Sequence, residues 1–110
     1  MTEDDFRTIA LSMPGAEESS HMNHPDFRAG PKRKIFATLN LDKDGVDFGV
    51  VMLRPEQQAE FVSESPDAFE PVNGKWGERG ATRVKLKRAG KQLVRRAVQA
   101  AWQAVTAQKG

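Results

Sequence analysis

A chain of 110 residues has room for one ordinary domain and none for a second. Its 38% hydrophobic and 29% charged residues are those of a globular rather than a disordered chain, and the absence of cysteine excludes disulfides and thiolate metal sites. The net charge is only +2, no apolar run approaches the ~18 residues that cross a bilayer, and the acidic start (Glu3, Asp4, Asp5) is unlike a secretion signal; the cytoplasm is the expected location, with no membrane partner.

The spacing predicts a helix over 2–13. Thr2 is a suitable N-cap, Asp4 and Asp5 sit where the helix dipole favours negative charge, and Phe6, Ile9, Ala10 and Met13 form one apolar stripe ended by Pro14-Gly15. Residues 17–54 read as a β-meander. Ile35, Ala37, Leu39 and Leu41 alternate with Phe36, Thr38 and Asn40, a turn follows at Asp42–Gly45, and Val46 to Leu53 is rich in β-branched residues. A short hairpin around Pro25-Asp26 is expected before them, joining Glu18–His24 to Phe27–Ala29.

Residues 55–65 return to helical spacing with Pro55 at the first position and Pro66 beyond the end. Asp67 to Ala81, punctuated by Pro71, Gly74, Gly77 and Gly80, is expected to be non-helical. Thr82–Leu86 reads as a strand with Thr82, Val84 and Leu86 inward and Arg83, Lys85 and Lys87 outward. Val94, Ala97, Val98, Ala101 and Val105 define a final helix over 91–107, with Trp102 expected in the core. Short strand connections exclude crossovers, so the order predicts a single two-layer α+β domain over 1–110: an antiparallel sheet with helices packed on one face.

The small net charge conceals an asymmetry. Met1–Asp26 holds six acids against one base, Pro55–Gly74 five acids and no base, and Lys75–Arg96 nine bases against Glu78 alone. Lys75, Arg79, Arg83, Lys85, Lys87, Arg88 and Lys91 are therefore candidates for a phosphate-binding surface, and Lys32-Arg33-Lys34 form a smaller cluster. Charges on an open sheet face also serve solubility and block edge pairing, which is the simpler explanation of the same run. Trp76, set between glycines next to Lys75 and Arg79, can stack on a base; the plainer expectation is that it closes one end of the core.

Chemistry-bearing residues are sparse. His21 and His24, with Glu17, Glu18 and Asp26 nearby, are the only cluster of metal-ligand types, but histidines three apart on a strand point to opposite faces. Ser19 and Ser20 lack the sharp turn of a nucleophile, and the glycines at 74, 77 and 80 do not make a phosphate loop. No catalytic constellation, metal site or cofactor is expected.

Taken in order, the residues Phe6, Leu11-Ser12-Met13-Pro14-Gly15, Glu17-Glu18, His24-Pro25-Asp26-Phe27, Lys34-Ile35-Phe36-Ala37-Thr38-Leu39 and Leu53-Arg54-Pro55 form a pattern. Pro71-Val72, Trp76-Gly77, Gly80, Thr82 and Ala101-Trp102 continue it. The whole resembles the MmcQ/YjbR family. That resemblance implies a secretion-chaperone-like α+β fold and, by analogy of fold, DNA binding. It brings no catalytic residues, and the chain departs from it at Ala81, where many relatives carry an aromatic.

Three functions follow as expectations. The leading one is a nucleic-acid-binding module acting through Lys75, Arg79, Arg83, Lys85, Lys87, Arg88 and Lys91 with Trp76 as a stacking residue, on DNA or RNA. The second is a protein-interaction or adaptor domain that meets a charged partner. The third is a small-ligand pocket lined by Glu18, His24, Phe27, Lys34 and Trp76.

Overall fold

The computed structural model describes residues 1–21, 24–41 and 47–107. Helix α1 (Glu3–Leu11) starts where Thr2 and Asp5 exchange hydrogen bonds: the Asp5 N–H donates to Thr2 Oγ1 at 3.1 Å and the Thr2 N–H to Asp5 Oδ2 at 2.9 Å. Two N–H groups that a helix start leaves without partners are thereby satisfied. Strands β1 (Glu17–His21), β2 (His24–Ala29), β3 (Lys34–Leu41) and β4 (Asp47–Met52) form an antiparallel meander. Helix α2 (Pro55–Glu64), strand β5 (Phe69–Pro71), the single turn α3 (Lys75–Glu78), strand β6 (Ala81–Lys85) and helix α4 (Lys91–Thr106) follow.

The sheet order is β1-β2-β3-β4-β6-β5, antiparallel throughout. Helix α1 sends Phe6, Ile9 and Ala10, and helix α4 Val94, Ala97, Val98 and Ala101, into a core floored by Phe27, Ala37, Leu39, Val51 and Val84. Phe61 of α2 meets Phe69 of β5 edge-on at 5.3 Å between centroids, on the same side of the sheet as Val84. All three long helices therefore lie on one face, and among the described residues no helix is long and apolar enough to cross a membrane. Each fully buried Phe or Leu contributes roughly 1.5–3 kcal/mol.

Several local expectations are corrected. The expected hairpin turn at Pro25-Asp26 lies instead inside β2, because the Asp26 carboxylate and the Arg28 guanidinium, two apart on an extended strand, share a face and pair at 2.9 and 3.1 Å. The turn over 42–45 and the link between β1 and β2 fall outside the described residues. In β3 the simple alternation fails: Phe27 faces Ala37 but Arg28 faces Ile35, so the register slips by one residue at Phe36. Phe36 is thereby fully buried in the core, while Ile35 lies on the opposite face.

The segment 67–81 holds a strand and a helical turn rather than only loop, both kept short by their flanks. Gly74 (φ +83°) and Gly80 (φ +114°) bracket α3 with left-handed backbone that no side chain adopts easily. Trp102 sits at the rim of the core, where its indole N–H donates to the Pro14 carbonyl at 2.9 Å and ties α4 to the end of α1.

Gly49 lies beneath Phe6: a Cβ there would come within 2.6 Å of the phenyl ring. Gly49→Ala is expected to lower stability by about 1–3 kcal/mol through this overlap. In urea denaturation, the double variant with Phe6→Leu should be less destabilised than the two single losses summed; strict additivity would contradict the contact.

Candidate binding site on the open sheet face

The face of the sheet away from the helices is organised by register. Across the strands at one end run Glu17, Arg28 and Ile35, with Met52 and Ala81 as partners on β4 and β6. Next to them run Ser19, Asp26, Thr38, Val50, Arg83 and Glu70. Asp26, Thr38 and Val50 are buried although no helix crosses this face. Long neighbours cover them: Arg28 lies over Asp26, and the Arg83 guanidinium sits 4.1 Å above the Phe48 ring. Asp26, through hydrogen bonding first and charge second, raises the Arg28 pKa above its ordinary value.

At the end of this face, Ile35, Met52, Leu53, Trp76, Arg79 and Ala81 line a hollow of about 280 Å³. Its wall is the α3 turn, and that turn is held from beneath. A Cβ at Gly77 would overlap the Val72 carbonyl, and one at Gly80 the Leu53 carbonyl, so only glycine lets the turn approach both backbones. The Gln58 amide of α2 donates to the Gly77 and Ala81 carbonyls at 3.0 and 2.9 Å, and the Leu53 N–H to the Gly80 carbonyl at 3.2 Å. On this fixed base Trp76 stands 54% exposed. The expectation that it closes the core is thus corrected: the indole is exposed and lines the hollow with Ile35, Met52, Leu53, Arg79 and Ala81.

The remaining candidates are scattered. Arg83 and Lys85 do project from the open face, but both reach Glu70, at 3.4 and 3.5 Å. Lys87 and Arg88 do not continue the strand, which ends at Lys85; they are exposed in the turn before α4. Lys91 lies on the helical layer, 3.6 Å from Asp5, and Arg96 lies 3.2 Å from Glu64. Asp5 is held below the usual carboxylate range, chiefly by the Thr2 backbone N–H and to a smaller extent by Lys91. The basic run is therefore not one surface. Lys75 and Arg79, beside the hollow, make no ion pair among the described residues.

The pocket expected from Glu18, His24, Phe27, Lys34 and Trp76 does not exist as a unit. Glu18 turns to the helical side and binds Arg7 at 2.9 Å, Phe27 is fully buried against Phe6, and only Trp76 lines the hollow. Alternation separates Glu18 from His24 and Asp26, but the expectation that His21 and His24 lie on opposite faces of one strand is corrected: they stand on two strands as direct cross-strand partners. Of two other depressions, one of about 390 Å³ between the start of α2 and the end of α4 is polar. The other, about 520 Å³ beside Pro71–Glu78, has neither an aromatic nor a basic lining residue.

Gln58, Glu70, Ile35 and Met52 were not singled out by sequence. Glu70 opposes Arg83 only because β5 pairs with β6, and Ile35 reaches the open face only through the slip at Phe36. Gln58 carries no local signal, since its partners lie 19 and 23 residues away.

An open antiparallel sheet with its long helices on one face and an indole-walled hollow on the other defines a two-layer α+β domain. The family model YjbR matches residues 11–104, and the chain belongs to that family. Its structure is similar to that of Deinococcus radiodurans protein DR2400, described by the domain DUF419: TM-score 0.74, 18% identity, covering 94% of this chain and 78% of that one. It is also similar to a Pseudomonas syringae protein, with TM-score 0.73, 15% identity, and 96% and 99% coverage. No protein of curated function matches the chain.

Gln58→Ala removes a donor shared by two carbonyls that keep their backbone partners, and should cost about 0.5–1.5 kcal/mol in chemical denaturation. Trp76→Ala, at an exposed position, should stay within about 0.5 kcal/mol of the parent. A large loss in the second variant would show that the indole is structural.

Proposed function

We propose that this protein is a small nucleic-acid-binding module whose contact is centred on the Trp76–Arg79 hollow rather than spread along the whole basic run. The carrying observation is an indole standing half out of the surface on a glycine-locked turn, with Lys75 next to it in the chain and Arg79 in the same hollow. An exposed aromatic flanked by unpaired cations is the chemistry that stacks a base and holds its phosphate. The pairing of Arg83 and Lys85 with Glu70, and of Lys91 with Asp5, argues against those cations as the main source of affinity. Membership of the YjbR family is compatible with this reading and does not itself specify a ligand.

The electrostatic consequence is quantitative. Lys75, Arg79 and the net single charge left by Arg83, Lys85 and Glu70 allow about three phosphate contacts, so the slope of log K against log salt should be about −2 to −3. Engagement of all seven candidate cations would give about −5 to −6. Fluorescence anisotropy of labelled oligonucleotides across a salt series measures the slope. Arg79→Glu should weaken binding roughly tenfold and Lys91→Glu should leave it unchanged. Absence of binding at low salt would remove the proposal.

A further inference from the structure

We infer that the hollow receives one unpaired base of a single strand, with little regard to its identity, so that the protein prefers single-stranded nucleic acid to duplex. This rests on the nucleic-acid reading above and adds the form of the ligand. In a duplex each base shows its edges in the grooves while its faces are covered by its neighbours. A stacking residue therefore works on a base that has left the stack, or on a strand that was never paired. The Trp76 indole stands 54% exposed on a turn whose backbone is held by Gly77, Gly80 and Gln58.

The lining of the hollow points the same way. The hollow is small, about 280 Å³. Ile35, Met52, Leu53 and Ala81 bring apolar side chains and no donor or acceptor with which to read a base edge. Arg79 is the one charged side chain in the lining, placed for a phosphate or for stacking on the far side of a base. Apart from the Arg79 guanidinium and the Trp76 indole N–H, which only donate, the lining holds no hydrogen-bonding side chain with which to distinguish bases.

The structure also offers a duplex little. Along the exposed side of α4, which alone among the described helices is both long and basic, Lys91 and Arg96 are engaged by Asp5 and Glu64, so that of its three cations Arg95 alone has no ion pair among the described residues. The short turn α3 cannot fill a major groove.

The test compares four fluorescein-labelled probes at one low salt concentration: a mixed-sequence 12-mer strand, its duplex, a poly-dT 12-mer, and a 12-mer in which abasic sites replace the central bases and keep every phosphate. The mixed and poly-dT strands should bind alike, at least tenfold tighter than the duplex, and the abasic strand should fall toward the duplex. Trp76→Ala should weaken strand binding about tenfold and leave duplex binding unchanged, whereas Trp76→Phe, which keeps a ring, should retain most of it. Equal affinity for strand, duplex and abasic probe, with Trp76→Ala neutral, would overturn this inference and leave the broader nucleic-acid reading standing. No binding to any probe, as expected if the hollow takes an apolar protein side chain, would overturn both.

Discussion

The close approach of the 74–80 turn to two neighbouring backbones governs the candidate site. Gly77 packs on the Val72 carbonyl and Gly80 on that of Leu53, contacts that any side chain would block. From this follow the brevity of α3, the entry of β6 into the sheet at Ala81, and the outward stance of Trp76. Gln58 reinforces the constraint by donating to the Gly77 and Ala81 carbonyls, which also accept from the Gly80 and Val72 N–H groups. The backbone beneath the indole is thus preorganised, which favours binding.

Electrostatics in the folded chain differ from those in the linear one. Acidic and basic blocks that look like a molecular dipole in sequence are brought together as pairs: Lys91 with Asp5, Arg96 with Glu64, Arg83 and Lys85 with Glu70. Pairs at such exposed positions are worth little to stability. Their effect is to lower the local positive potential, while Arg79 in the hollow and Lys75 in the same turn make no ion pair among the described residues. Asp26 and Arg28 are different, being a buried carboxylate under a half-covered guanidinium, and their pairing lets the middle of an uncovered sheet face stay dry.

Much of the architecture was legible because it is written in short-range periodicity. The apolar stripes of α1 and α4, the Thr2 cap, Pro55 and the alternation in β6 all lie within a few residues of one another, and the α+β fold follows from them. What was not legible depends on contacts distant in sequence. The slip at Phe36 reverses Ile35, and nothing in the run from Lys34 to Leu39 marks it. The three-residue β5, with a proline at its end, is too short to announce itself, so the neutralising role of Glu70 stayed hidden. Trp76 was visible as distinctive, but its exposure depends on what else fills that end of the core, which only the fold decides.

The central claim is that ligand meets this chain at Trp76. The two indole N–H groups give two separate NMR signals, one from the hollow and one from Trp102, whose N–H is already engaged by the Pro14 carbonyl. Titration with an unlabelled oligonucleotide, followed by ¹H–¹⁵N correlation, is the most direct measurement. The account predicts that the Trp76 indole signal and the backbone amides of Lys75–Ala81 move progressively while the Trp102 indole stays in place. Movement concentrated on α4 and on the Lys87–Lys91 turn, with Trp76 unmoved, would contradict it.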